Sequence, residues 1–88
     1  MKYRKKPVEI EAVQFTRDNW DEVVSFTNGA AQNLTFERRP DVKFTCIIPT
    51  LEGDHIVNER DYIIKGAIGE FYHCKQYIFE RTYERVEA

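Results

Sequence analysis

Cys46, His55, His73 and Cys74 are the side chains of this sequence best suited to hold a soft metal or to act as nucleophile and base. Zinc sites usually show close pairs, two cysteines or two histidines a few residues apart. Here the one close pair is His73-Cys74, and neighbours on a strand point to opposite faces. The same alternation separates a Cys74 thiolate from a His73 base, and no orienting third group or oxyanion hole marks itself. No metal, cofactor or catalytic residue is therefore expected. Cys46, inside an alternating apolar run, reads as a core residue. Two acid pairs remain: Glu52 and Asp54 flank Gly53, and Glu59 and Asp61 flank Arg60. Such pairs can bind a hard cation or work as acid and base. Asp and Gly are also what tight turns require, so both pairs read as solvated turn tips.

The aromatic residues point elsewhere. Six of the chain's aromatics fall in its last third: Tyr62, Phe71, Tyr72, Tyr77, Phe79 and Tyr83. Phe71 and Tyr72 must face opposite ways on a strand, so both cannot enter one core. Exposed tyrosines beside Lys75, Arg81 and Arg85 could stack a base and pair its phosphate. They equally suit a protein or homo-oligomer contact, where Tyr and Arg concentrate. The candidate ligand-binding set is Tyr72, Lys75, Tyr77, Arg81, Tyr83 and Arg85.

The elements that must position these residues follow from periodicity. Val8, Ile10 and Ala12 alternate with Glu9, Glu11 and Val13, and Phe15 closes a first strand. Trp20, Val23, Val24 and Thr27 form a helical stripe, with Thr16 or Asp18 as N-cap and Asn28-Gly29 as terminator. Leu34 and Phe36 mark a second strand, and Arg38-Arg39-Pro40-Asp41 breaks it. Val42, Phe44, Cys46 and Ile48 give the cleanest alternation, facing away from Lys43, Thr45 and Ile47. Turns at 51–54, 58–61 and 66–69 then separate three further strands. Residues 75–80 allow one helical turn, and residues 81–86 read as a closing strand. The fold class expected is α+β: an antiparallel meander of about six short strands, open or partly closed into a small barrel, packed on one helix in the N-terminal half. No linker or repeat divides it, so residues 1–88 form one domain.

Composition agrees. The 88 residues are 42% hydrophobic and carry a net charge of −2. No apolar run is long enough to span a bilayer, and the basic start leads into Pro7 rather than an export signal. Two cysteines without an export signal favour a reducing cytoplasm. The near-neutral sum hides an asymmetry. Lys2, Arg4, Lys5 and Lys6 place +4 in the first six residues, leaving nine basic against fifteen acidic residues in the rest. Such an arm could touch nucleic acid, although proteins that track phosphates need a larger basic excess.

Several of these stretches resemble a family of small phage and prophage proteins. The first is Tyr3-Arg4-Lys5-Lys6-Pro7-Val8-Glu9-Ile10-Glu11-Ala12-Val13-Gln14-Phe15-Thr16. The others are Thr50-Leu51-Glu52-Gly53-Asp54, Asp61-Tyr62-Ile63-Ile64-Lys65-Gly66, Gly69-Glu70-Phe71-Tyr72-His73-Cys74-Lys75, Ile78-Phe79-Glu80 and Thr82-Tyr83-Glu84. The segment around Asp61 is also similar to the domain family named for a Pro-Gly-Asp-Tyr-Gly motif, with Glu59-Arg60 standing where that motif has Pro-Gly. Residues 28–46 carry no part of the resemblance. It implies a viral accessory protein of the host bacterial cytoplasm that binds without catalysis. The partner would be a nucleotide-like ligand or a host defence protein, and a homo-oligomer would supply a pocket that one copy lacks. Nucleic-acid binding through the basic arm and a virion or assembly role are the alternatives.

Overall fold

The computed structural model describes residues 1–3, 9–38, 40 and 42–86. Along the chain these form β1 (Glu11–Gln14), α1 (Trp20–Phe26), β2 (Gln32–Glu37), β3 (Lys43–Thr50), β4 (Gly53–Asn58), β5 (Tyr62–Lys65), β6 (Phe71–Cys74) and α2 (Gln76–Thr82). The strands do not make one meander. They form two three-stranded antiparallel sheets, ordered β1-β5-β6 and β2-β3-β4, and neither the pair nor either sheet closes into a barrel.

Register decides which side chains meet between the sheets. In the first sheet Val13 lies opposite Ile63, and Ile63 opposite His73. In the second, Cys46 lies opposite Val57 and Ile48 opposite His55. Val13, Phe15, Cys46, Ile48, Val57 and Ile63 are all buried and belong to one core, which Val23 of α1 and Ala31 complete. β3 and β6 make the most extensive contact across the two sheets. Trp20 meets Phe15 edge-on, and Phe26 packs on Phe71, so α1 covers one side of this core.

Three expectations change. β1 buries Val13 and Phe15, leaving Ala12 exposed; the inward parity is that of Phe15, whose ring removes more area from water than the Ala12 methyl. Residues 81–86 form no strand, because α2 runs on to Thr82 and makes a second helix. The N-cap position of α1 is Asn19, whose side-chain oxygen accepts from Thr16 rather than from a backbone N–H of the helix. Its end is as expected in kind: Gly29 N–H reaches Val24 O and Asn28 N–H reaches Ser25 O, with left-handed Asn28 at the C′ position.

One connection sets the arrangement of the sheets. Residues 58–61 carry the chain from β4 in one sheet to β5 in the other. Phe15 clamps this turn through its backbone, donating to Asp61 O (2.8 Å) and accepting from Arg60 N–H (2.6 Å). Within it Arg60 sits at φ +78°, a left-handed conformation in which a Cβ is costly.

Two outcomes check this architecture. Ile63→Ala should lower the unfolding free energy by about 2–5 kcal/mol. Ile56→Ala, at an outward position 61% exposed, should change it by no more than about 0.5 kcal/mol. Equal losses in urea titrations would contradict the facing of the sheets. Arg60→Gly should raise stability by up to about 1 kcal/mol by relieving the backbone.

Candidate functional site

The most polar part of the interior gathers around Asp61. Its Oδ2 accepts from the Asn58 backbone N–H at 3.1 Å and from His73 Nε2–H at 2.8 Å, and Lys75 Nζ stands 3.8 Å away. Asp61 is 5% exposed. The position belongs to a turn, as the sequence implies, but its carboxylate is buried rather than solvated. His55 of β4 approaches the His73 ring edge-on, with centroids 6.2 Å apart. A carboxylate, two imidazoles and an ammonium can orient a proton acceptor, yet Asp61 here receives the backbone and imidazole donors that fix the inter-sheet turn.

The thiols do not join this cluster as nucleophiles. His73 lies opposite Ile63 and Cys74 opposite Tyr62, so the adjacent pair faces opposite ways. Burial, and secondarily the charge of Asp61, raises the Cys74 thiol above its ordinary value. Burial alone pushes Cys46 up to about 11. Both shifts disfavour the thiolate that nucleophilic chemistry requires. Among the described residues no three His, Cys, Asp or Glu side chains gather closely enough to hold a metal ion.

The aromatic and basic residues at the end of the chain are distributed over different tasks. Tyr62 and Phe79 stack at 3.8 Å between centroids, with their planes within 8°, and Tyr83 packs on Phe79 at 4.9 Å. That stack joins α2 to β5 and leaves α2 with no buried residue. Lys75 turns toward Asp61. Tyr72 stands near Glu70, and partial burial followed by that carboxylate's charge raises its phenol. Tyr77 is 65% exposed, and Arg81 follows it one helical turn later on the same face. Arg85 is exposed beyond the helix. The structure thus places Tyr77 and Arg81 together but engages Tyr83 and Lys75 in internal contacts.

Of the basic arm, Lys2 is exposed, whereas Arg4, Lys5 and Lys6 lie outside the described residues, as do Pro7, Val8, Arg39 and Asp41. No helix among the described residues is long and apolar enough to cross a membrane. A second polar constellation escaped the sequence reading. Arg17 grips Glu59 through Nε (2.8 Å) and Nη2 (3.0 Å), and its guanidinium lies 4.9 Å from the centre of the Phe44 ring. Arg17 and Glu59 are 42 residues apart, and nothing in local periodicity connects them. Compared with protein-family models, curated proteins and solved structures, the chain matches none.

Removing the buried carboxylate should be expensive. Asp61→Ala is expected to cost about 2–4 kcal/mol, since it strands an imidazole and a backbone donor. A double-mutant cycle with His73→Ala should return a coupling of at least about 1 kcal/mol; simple additivity would show that the two do not share a bond. The thiols supply a second check. With its pKa near 11, Cys46 is thiolate in only about one molecule in a thousand at pH 8, and its alkylation by iodoacetamide should await unfolding. Rapid labelling of either cysteine in the folded protein at pH 8 would return the thiols to consideration.

Proposed function

We propose that this chain is a phage or prophage accessory protein that acts by stoichiometric, non-enzymatic binding in the host bacterial cytoplasm, and that it captures a host defence protein through α2. The observation that carries this reading is the division of labour on that helix. Phe79 is taken up in the stack with Tyr62 and Tyr83, while Tyr77, Ile78 and Arg81 face outward. Exposed Tyr and Arg on one rigid face are the residue types that dominate binding hot spots. The polar groups of the interior support the reading in their own way, because Asp61 and His73 hold the turn between the sheets and the thiols are held protonated.

A protein partner fits this face better than an enclosed nucleotide. Tyr72, Tyr77, Arg81 and Arg85 are all exposed, whereas small molecules are held in enclosing concave sites. The complementary surface would offer an apolar recess for Tyr77 with Ile78 and carboxylates for Arg81 and Arg85. The phage resemblance of the sequence supplies the host context.

Tagged wild-type protein, a Tyr77→Ala/Arg81→Ala variant and a Tyr3→Ala control should be passed over lysate of a bacterial host. A specific host protein retained by wild type and control, and reduced at least about tenfold by the α2 variant at unchanged thermal stability, is the expected result. Equal retention by all three would overturn the assignment of α2. Retained nucleic acid released by salt would instead favour the basic arm.

A further inference from the structure

β4 leaves β3 before β3 begins. The last cross-strand pair is Thr45 with Asn58; Glu59 N–H then bonds Phe44 O at 3.1 Å, and the chain turns away. Between the start of β3, which pairs with β2 but not with β4, and that turn lies an open groove of about 310 Å³. Its walls are Val42, Lys43 and Phe44 on one side and Asn58, Glu59 and Arg60 on the other. We propose that this groove binds a phosphate monoester, with Lys43 and Arg60 taking the phosphate and Val42 and Phe44 bordering the organic body.

The charges support an anion. The carboxylate of the walls among the described residues, Glu59, is held by the Arg17 fork, whose hydrogen bond, with a smaller contribution from the charge of Arg60, draws it below the usual carboxylate range. It stays ionised and neutralised at neutral pH. The Arg17 guanidinium also lies over the Phe44 ring. Among the described residues Lys43 and Arg60 are in no ion pair. Around the groove Arg17, Arg38, Lys43 and Arg60 stand against Glu37, the cross-strand neighbour of Lys43, and Glu59. Asp18 is a further acid acting on Arg17. A guanidinium and an ammonium lining one groove match a doubly charged phosphate, the guanidinium fork giving direction and the ammonium a point charge.

The backbone supplies the independent observation. Arg60 occupies φ +78°, where glycine would sit without strain. The turn around it is held by Phe15 on its amide, Gln14 Nε2 on its carbonyl at 3.0 Å, and the Asn58 and Asp61 bonds on either side. A long cationic side chain is thus displayed at the groove from a costly conformation that its surroundings enforce. Such enforced outliers cluster at ligand clamps.

The test is an amide NMR titration of the whole chain in low-salt, phosphate-free buffer with adenosine 5′-monophosphate, inorganic phosphate and adenosine. Saturable shifts of Lys43, Phe44, Arg60 and Asp61 are expected with both phosphates and not with adenosine. Tighter binding of the nucleotide would identify an organic phosphate as the ligand, and equal binding a free phosphate. Arg60→Gly relieves the backbone and keeps the fold, so its loss of affinity, at least about tenfold, reports the side chain alone. Lys43→Met should weaken both phosphates similarly. Absence of saturable shifts at millimolar phosphate, shifts centred on α2, or undiminished binding by Arg60→Gly would each overturn the proposal.

Discussion

Two hydrogen bonds and a nearby ammonium converge on the Asp61 carboxylate, and the relation between the two sheets depends on them. The Asn58 N–H closes the turn that leaves β4, His73 reaches across from β6, and Lys75 stands just beyond. A short chain cannot bury enough apolar surface to fix every connection by packing alone. Each sheet has only three strands, so a change in the angle of the turn would separate Ile48 and Val57 from Ile63. A buried carboxylate with both backbone and side-chain donors resists that change, because losing either donor leaves a polar group without a partner. Phe15 reinforces the turn from the opposite side, through its backbone to Arg60 and Asp61 and through its ring to the core.

The parts of the fold legible in the sequence are those set by local rules. Alternation in Phe44, Cys46 and Ile48 locates β3 and its inward face, although Val42 stands exposed just before the strand; Gly53 marks the hairpin into β4, and Asn28-Gly29 ends α1. The partition into two sheets was not legible. Residues 58–61 look like any polar turn between consecutive strands, and only the long-range bonds to Phe15 and His73 send β5 to a different partner. β1 shows the same limit at smaller scale: Ala12 and Val13 compete for the inward parity, and the packing of Phe15 decides. In residues 81–86 the alternating Thr82, Glu84 and Val86 suggest a strand, whereas α2 runs on to Thr82, Tyr83 packs on Phe79, and residues 83–86 form no strand.

The candidate sites divide along the same line. That His73 and Cys74 must face apart follows from strand geometry, as does the separation of Phe71 from Tyr72. Which tyrosines stay free does not, because it depends on which of them α2 uses to dock. The groove beside Arg60 was invisible for a physical reason: its two walls come from residues 42–44 and 58–60, joined by a hairpin. Arg60 adopts φ +78°, a conformation that no local pattern around it announces.

The two features of this turn therefore oppose one another. Asp61 and Phe15 give it stability, and Arg60 takes some of that stability back by forcing a Cβ into the left-handed region. Arg60 is exposed and in no ion pair among the described residues, and its charge acts on Glu59 less than that of Arg17 does. It lines instead a groove whose acid among the described residues, Glu59, is paired with Arg17. A rigid turn is what makes such a display effective. A cation on a mobile loop would lose conformational entropy on meeting an anion, whereas one carried by a clamped backbone has already lost much of it. The buried carboxylate of Asp61 and the exposed guanidinium of Arg60 are adjacent in sequence because the first fixes the conformation that the second requires.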